Sequence, residues 1–412
     1  MQLFFYHISV KLLFIGIRLA SFFNAKARLW VSGRRQFPEC HFEHQSIWMH
    51  CASLGEFEQG RPLLEKLKQQ HPDFPVILTF FSPSGYEIRK HYPGADAVFY
   101  LPEDSPANAA RLLDRFNPAL ILWIRYDFWH FYLNEISKRK IPLLLVSAVF
   151  RKDQPFFKWY GSLWRRMLCS FTKLFVQNDN SEKLLTKLQL PVSVSKSGDT
   201  RFDRVAMIVS ERNSVAGVED FCKGRKVIVA GSTWEEDEDE WVHYVNSHPQ
   251  IAFIVAPHVI DREHISNLSS RFPKSITYSQ LMTLHTLNHG HVLIIDNIGM
   301  LSALYQYADI TYVGGGFGDD GLHNILEAAA YGKPVIIGPE YDRHYEAVEM
   351  LEQGGLFSIQ NALELENLLD ELFSDGEKRM GAGKSAKEYV EKNKGATGKI
   401  LDYIQENRLL TR

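Results

Sequence analysis

The chain has 412 residues, enough for two or three domains, and it is 45% hydrophobic, 13% aromatic and 23% charged. These values are typical of folded globular proteins and exclude disordered, collagen-like and polytopic membrane classes. The 46 Lys and Arg against 49 Asp and Glu leave a net charge of −3. This balance argues against a nucleic-acid-binding surface built from excess cations.

The first 35 residues differ from the rest because they carry six Lys and Arg and no acid. The apolar stretch 3–23 is long enough to span a bilayer, but Lys11 and Arg18 interrupt it, and cations are costly at mid-membrane. On a helix these two share one stripe with His7, and the remaining surface is apolar. Residues 1–35 are therefore predicted to lie on a membrane surface, on its cytoplasmic side; the alternative is a core helix whose cations reach solvent.

From residue 46 onward, short apolar runs alternate with helical patterns. In the first half the runs are IWMHCAS, VILTFF, ALILWI, PLLLVSAV and LFVQ. After a polar stretch, the second half has KVIVAGS, IAFIVAP, HVLIID, DITYVGGG and PVIIGPE. This rhythm predicts two doubly wound α/β domains with parallel sheets, at 36–205 and 206–390, followed by a closing helix at 391–412.

Ligands of open α/β sheets bind beyond the carboxyl ends of the strands. Ser53, Gly55 and Glu56 follow the first strong strand and precede a helix. A carboxylate there can accept a proton from a bound hydroxyl. The alternative is that Glu56 or Glu58 only complements the helix dipole.

Two further turns lie at the same predicted edge. Ser84 and Gly85, in Ser82–Gly85, open a helix and can hold a phosphate or a sugar hydroxyl, although capping explains them equally well. Arg125 and Asp127 follow ALILWI among aromatic residues. They suit a sugar or lipid-headgroup site, or form a structural ion pair.

The second half carries a glycine-rich loop, 314–327, between a strand and a helix. Its glycines let backbone amides approach phosphate, and Glu327, one turn from His323 and Asn324, is suited to a ribose diol. Upstream, the turn containing Ser232 and Thr233 is a candidate nucleotide contact, and the acids at 235–240 are interpreted as a solvated first helical turn. The strands that end near 296–299 and 337–340 are expected to converge on the same cleft.

The order of these motifs resembles that of the transferases of 3-deoxy-D-manno-octulosonic acid (Kdo), which use CMP-Kdo and a lipid A precursor. The resemblance covers nearly the whole chain. The matching segments are Ser53–Glu56, Ser82–Gly85, Ala230–Thr233, Asp296–Leu301, Val313–Glu327 and Gly338–Pro339.

The resemblance implies a GT-B glycosyltransferase: two Rossmann-like domains facing a cleft, the first binding the acceptor and the second CMP-Kdo. It implies inversion at the anomeric carbon, no metal and no cofactor, with Glu56 as the general base. It also implies a place on the cytoplasmic face of the inner membrane, as a peripheral protein or with a single N-terminal anchor. The substrate-binding residues it implies are Ser53, Gly55, Ser84, Gly85, Asp127, Arg201, Ser232, Thr233, His258, Gly299, Met300, Gly315, Gly316, His323, Asn324 and Glu327.

Several positions depart from the family pattern. Arg125 stands where an acid is usual, before Asp127, and Arg201 stands where a Lys is usual. Arg201 keeps a cation that can pair with the Kdo carboxylate, with different geometry. The segment around His258 is altered, and Met300 replaces a usual Glu.

Two other interpretations stay open from the sequence. One is a different GT-B enzyme, such as a nucleotide-sugar 2-epimerase or a transferase of another sugar. The other is a non-catalytic protein that binds a nucleotide or a lipid headgroup. The basic, apolar N-terminus argues against a soluble epimerase, because such an enzyme has no need of it.

Overall fold

The computed structural model divides the chain into two compact units. The first unit contains Met1–Arg204 and Lys394–Arg412, and the second contains Val205–Asn393. The structure describes residues 2–40, 42–211, 214–284, 290–318 and 321–410.

The first unit is built around a parallel sheet. Its strands are β1 (Ser46–Cys51), β2 (Val76–Phe80), β3 (Ala97–Tyr100), β4 (Pro118–Ile124), β5 (Leu143–Ala148), β6 (Lys173–Val176) and β7 (Ser193–Lys196). Their order in the sheet is β3-β2-β1-β4-β5-β6-β7. The helices up to its boundary are α1 (Gln2–Ala20), α2 (Ala25–Ser32), α3 (Leu54–Gln70), α4 (Pro83–Arg89), α5 (Pro106–Phe116), α6 (His130–Lys138), α7 (Ser162–Leu168), α8 (Asp179–Thr186) and α9 (Thr200–Glu211), with a 3-10 turn at Pro155–Phe157.

Helices cover both faces of this sheet, so its central strands are buried on both sides. Successive residues of β1 point to opposite faces: Trp48 packs in one core cluster, while Ile47 and Met49 pack in the other. Every residue of β1 and β2 is buried. Packing of the core alone therefore fixes the positions of the carboxyl ends of these strands.

The second unit repeats this plan. Its strands are β8 (Lys226–Thr233), β9 (Ile251–Pro257), β10 (Ser275–Thr277), β11 (Val292–Ile294), β12 (Ile310–Val313), β13 (Val335–Ile337) and β14 (Leu356–Ser358), in the order β10-β11-β9-β8-β12-β13-β14. The remaining helices are α10 (Val218–Cys222), α11 (Glu235–Ser247), α12 (Arg262–Arg271), α13 (Tyr278–Leu284), α14 (Leu301–Leu304), α15 (Leu326–Ala330), α16 (Tyr345–Glu352), α17 (Ala362–Ser374), α18 (Gly376–Asn393) and α19 (Ala396–Glu406), with a 3-10 turn at Tyr305–Tyr307.

The last helix, α19, belongs to the first unit rather than the second. Its Ile400 and Ile404 are buried in the same core cluster as Ile47 and Leu63. Asp203 accepts backbone hydrogen bonds from Gly395 (2.6 Å) and Thr397 (2.7 Å), which fixes the start of α19. The polypeptide thus leaves the first unit near residue 204 and returns to it near residue 394.

The prediction of two parallel α/β domains is confirmed. All ten apolar runs of the sequence are strands, but each sheet has two more, namely β3, β7, β10 and β14. All four are edge strands of three or four residues, and most of their residues are partly or fully exposed. Short, half-exposed edges carry too little hydrophobic pattern to be read from sequence.

The helix α1 packs on the first unit by a narrow face. Phe14 lies with its ring centroid 5.2 Å from that of Trp30, and Val10 joins them in a small buried cluster. The opposite face stays exposed, with Phe4 64% and Leu12 61% accessible. This exposure does not fit the core-helix alternative. By length and composition alone, α1 is apolar enough to cross a membrane.

Candidate active site

Glu56 lies in the first turn of α3, directly beyond the carboxyl end of β1. Its side chain is only 7% exposed, and its Oε2 accepts a hydrogen bond from the Ala52 backbone N–H. Among the residues described, no cation lies within ion-pair distance of this carboxylate. Neighbouring Glu58, by contrast, contacts Arg89 (2.7 Å) and Arg204 (3.5 Å).

The environment of Glu56 tunes its proton affinity. Burial raises its pKa to about 7, and the charge of Asp127 acts in the same direction. The Ala52 N–H and the charge of Arg125 oppose this rise. A carboxylate with a pKa near neutrality is suited to take a proton from a hydroxyl at physiological pH.

Asp127 lies at the end of a polar chain that runs through the buried strands. Its Oδ2 is 3.4 Å from His50 Nε2 and 3.3 Å from Trp129 Nε1. His50 Nδ1 is 2.9 Å from Thr79 Oγ1, which also accepts a hydrogen bond from Trp48 Nε1 at 2.9 Å. The Thr79 hydroxyl proton can then be donated to Nδ1, leaving the His50 Nε2 proton directed at Asp127.

Sequence reasoning missed His50. Its only signal was a polar residue inside the otherwise apolar run IWMHCAS, one residue before the strand ends. His50 is fully buried, and its ring centroid lies 4.4 Å from that of Trp123. It therefore orients Asp127 from within the core.

The other predicted residues of this edge have mixed roles. Ser84 donates its backbone N–H to Ser82 Oγ (3.3 Å), and the two hydroxyl oxygens are 3.0 Å apart. A Cβ on Gly85 would lie 2.2 Å from the Phe80 ring, so packing alone requires this glycine. A Cβ on Gly55 would meet nothing within 4 Å, and Ser53, the helix N-cap, makes no side-chain capping bond.

Arg125 has left-handed backbone (φ 61°) at the end of β4, which is uncommon outside glycine. Ser147, at the end of the adjacent β5, is also left-handed (φ 55°), and its hydroxyl lies 2.8 Å from Thr200 Oγ1. Backbone strain of this kind is typical of functional sites.

Arg201 pairs with a residue of its own chain. Its Nε and Nη2 lie 2.8 and 2.7 Å from Asp199 Oδ2. The Arg201 guanidinium, which stands where a Lys was expected, is thus neutralised by the buried Asp199. The predicted contact of Arg201 with a substrate carboxylate stays a prediction.

In the second unit, Asp237 joins the β8–α11 turn to the glycine-rich loop. Its carboxylate accepts hydrogen bonds from Tyr312 OH (2.6 Å), the Gly315 N–H (2.9 Å) and the Trp234 N–H (2.9 Å). It is 1% exposed, and burial raises its pKa. The interpretation of this acid run as a solvated turn is wrong for Asp237 and for Glu238, which is also buried.

The glycines of the loop are fixed by close approach. A Cβ on Gly314 would lie 2.4 Å from the Ser232 carbonyl oxygen, and one on Gly316 would lie 2.7 Å from the Gly338 nitrogen. Gly315 is left-handed (φ +90°), and its amide already donates to Asp237. Residues 319 and 320 of this loop lie outside the described residues.

A stack of three rings lies beside the loop. Trp234 Nε1 donates to His323 Nε2 (3.1 Å), and the His258 ring lies 4.6 Å from that of Trp234 and 4.4 Å from that of His323. The His323 backbone N–H donates to the Gly314 carbonyl (3.1 Å). The His258 ring thus lies between those of Trp234 and His323. Both histidines are predicted site residues, whereas Trp234 was not predicted.

The remaining predicted residues of this unit lie at the same strand ends. Ser232 is left-handed (φ 54°), and the buried Thr233 hydroxyl donates to Glu238 (2.9 Å). The Asn324 amide donates to Glu327 (3.1 Å). Other predicted positions are Gly299, which is left-handed with open space around it, and Met300, the N-cap of α14.

Comparison with known proteins identifies the family of these two units. Residues 25–204 match the family model described as 3-deoxy-D-manno-octulosonic-acid transferase (kdotransferase), and residues 277–389 match glycosyl transferases group 1. A 3-deoxy-D-manno-octulosonic acid transferase from Aquifex aeolicus is 27% identical over 349 residues, covering 83% of this chain and 90% of that protein. The first unit matches the Kdo transferase family. The chain is a glycosyltransferase of the GT-B fold class.

Other relatives extend this comparison. A bifunctional glycosyltransferase/methyltransferase from Fusobacterium nucleatum is 24% identical over 381 residues, and the alignment spans 89% of this chain but 56% of that protein. The structure of UDP-GlcNAc 2-epimerase from Neisseria meningitidis has a TM-score of 0.62 at 16% identity, covering 88% of this chain and all of that one. The second likeness concerns the fold alone.

Proposed function

We propose that the protein transfers Kdo from CMP-Kdo to a hydroxyl of a lipid A precursor, with Glu56 as the general base. The observation that carries this proposal is a buried carboxylate at the carboxyl end of β1, with a pKa raised to about 7 and no paired cation among the described residues. Similarity to the Kdo transferases supplies the substrate class.

The proposed reaction is one in-line displacement. The acceptor hydroxyl oxygen attacks the anomeric carbon of Kdo while its proton passes to Glu56. The bond from that carbon to the phosphate oxygen breaks, and CMP leaves with the electron pair. Displacement from the opposite face inverts the configuration at the anomeric carbon.

The residues of the second unit are assigned to the donor. Asp237 and the close-packed glycines hold the loop 314–318 in one conformation, which prepares it for a negatively charged nucleotide. The ring stack of Trp234, His258 and His323 offers flat surfaces and ring nitrogens beside it. We assign Asn324 to the phosphate and Glu327 to the ribose.

The acceptor is a lipid, and the exposed apolar face of α1 supports contact with a membrane. We place the protein on the cytoplasmic face of the inner membrane, with α1 lying in the interface. The cations on its polar stripe, Lys11 and Arg18, suit this orientation better than a spanning one, since charges at the bilayer centre are costly. Arg18 also pairs with Glu103 of the first unit.

Metal-independent transfer is part of the proposal, because the family resemblance implies it. Incubation with a chelator should leave the rate of CMP release unchanged. A rate that collapses with chelator and returns with a divalent cation would refute this part alone.

The central experiment measures CMP release from CMP-Kdo in the presence and absence of a tetra-acylated lipid A precursor. Glu56→Gln keeps the shape of the side chain and its acceptor oxygen for Ala52, but it cannot take a proton. Its turnover should fall by about 10²- to 10⁴-fold, the usual contribution of a general base.

The matched control is Glu58→Gln, on the same helix. Glu58 is paired with arginines, so its loss should change turnover little. Equal turnover in wild type and Glu56→Gln would remove Glu56 as the base. Absence of acceptor-dependent CMP release from the wild type would refute the proposed substrates.

A further inference from the structure

A second cluster of exposed aromatic residues lies in the first unit, outside both the catalytic edge and α1. We define the aromatic corner as residues 151–166, which connect β5 to α7 and include most of α7. Its Trp159 is 93% exposed, and Tyr160 beside it is 46% exposed. Their rings lie 5.6 Å apart, and contiguous exposed apolar surface, unlike a single exposed side chain, marks an interaction site.

The aromatic corner is fastened to the beginning of α1 by one side chain. Gln2 Nε2 donates to the Tyr160 carbonyl (2.8 Å), and Gln2 Oε1 accepts from the Leu163 N–H (3.1 Å) and the Ser162 hydroxyl (2.5 Å). Arg165 donates to the Phe156 and Lys158 carbonyls at 3.0 Å each, which holds the corner's own backbone. These hydrogen bonds therefore fix the turn that carries Trp159 next to the N-terminal end of α1.

The two elements share one apolar surface. A groove of about 400 Å³ lies between them. Its apolar and aromatic lining comes from both sides: Phe5, Tyr6, Val10 and Leu13 of α1, and Tyr160, Leu163 and Trp164 of the corner. A surface that binds the exposed face of α1 therefore also contacts the aromatic corner.

The charge of the corner indicates which environment this is. Residues 151–166 contain five cations and a single acid, Asp153. The cations are Arg151, Lys152, Lys158, Arg165 and Arg166. Exposed Trp and Tyr among Lys and Arg are typical of the interface between water and a bilayer, where anionic headgroups attract the cations.

The geometry points to the aromatic corner as a second membrane-binding element, whose Trp159 ring enters the headgroup region of an anionic bilayer beside α1. This rests on the proposed function only in placing α1 on the membrane. With α1 alone in the membrane interface, the first unit could rotate about the helix axis. A second membrane contact, at the aromatic corner, fixes this rotation. The occupant is an anionic phospholipid surface, not a protein.

Sedimentation of the full chain with lipid vesicles tests this inference without substrates. The vesicles are phosphatidylglycerol–phosphatidylcholine mixtures and phosphatidylcholine alone. Trp159→Ala should weaken binding to the anionic vesicles by about tenfold, because an interfacial Trp contributes large apolar area. Lys152→Ala should weaken it by about fivefold, and only when phosphatidylglycerol is present.

Leu363→Ala is the matched control, since Leu363 is a 68% exposed apolar residue of the second unit. Its vesicle binding should equal that of the wild type. Wild-type binding by Trp159→Ala would overturn the inference. So would self-association without lipid that Trp159→Ala abolishes, because the corner would then be a protein interface. Failure of the proposed function appears separately, as absent CMP release from the wild type.

Discussion

The two sheets of this protein have the same size and strand direction, yet their carboxyl edges carry different chemistry. The first edge has the buried Glu56 and His50, with the partly exposed Asp127 hydrogen-bonded to His50. The second has close-packed glycines and a ring stack, organised by Asp237. Under the proposed function, one scaffold serves proton transfer in the first unit and donor binding in the second, and the difference lies in which side chains end the strands.

The largest effect on stability is expected for Asp237, which organises the second edge. Asp237→Ala would leave the Gly315 and Trp234 amides and the Tyr312 hydroxyl without their acceptor, at a cost of about 4 kcal/mol of unfolding free energy. Hydrogen exchange should rise at 310–318 and stay unchanged at 46–60. Asp239→Ala, at an exposed carboxylate on the same helix, should change little. An equal rise in hydrogen exchange at 310–318 and at 46–60 would contradict the independent stabilisation of the two edges.

The buried Glu56 of the first edge is expected to lower stability at high pH. The pKa of Glu56 is raised from 4.5 to about 7 in the folded protein, so the folded state binds more protons between these values. Stability therefore falls as pH rises through this window, by up to about 3 kcal/mol in total. Glu56→Gln should be more stable than wild type at about pH 8, with little advantage near pH 4. Urea unfolding at both pH values measures this, and lower stability at both would contradict it.

Substitution of Gly55, at the first edge, is expected to have opposite effects on stability and on turnover. Gly55→Ala should raise stability by about 1 kcal/mol, because helical Gly is unfavourable and the new Cβ meets nothing within 4 Å. If the acceptor passes over this turn, turnover should nevertheless fall. Gly381→Ala in α18 also adds a Cβ in open space and should stabilise without loss of turnover. Full activity in Gly55→Ala would remove Gly55 from the acceptor site.

The smallest effect concerns the pH profile. The charge of Asp127 raises the pKa of Glu56, but burial is the larger cause. Asp127→Asn should therefore move the acid limb of turnover to lower pH without flattening it. Asp153→Asn, at an exposed acid, should leave the profile in place. An unmoved acid limb in Asp127→Asn would show that the two carboxylates are not coupled.

The sequence was sufficient for the central strands and for the position of Glu56, because both follow from short-range patterns. It was insufficient for the edge strands, whose few half-exposed residues lack such a pattern. It also misassigned Asp237, since an acid in a first helical turn looks solvated until the Tyr312 hydroxyl and the Gly315 amide, more than 70 residues away, are placed against it. The roles of Gly85 and Thr233 likewise depend on contacts that only the folded chain defines.

The return of α19 to the first unit has a genetic consequence. A stop codon after residue 393 would spare every strand and every predicted site residue, yet it would delete Ile400 and Ile404 from the core that supports β1. Late nonsense alleles should accordingly behave as folding defects of the first unit, although their lesion is encoded more than 300 codons downstream of Glu56.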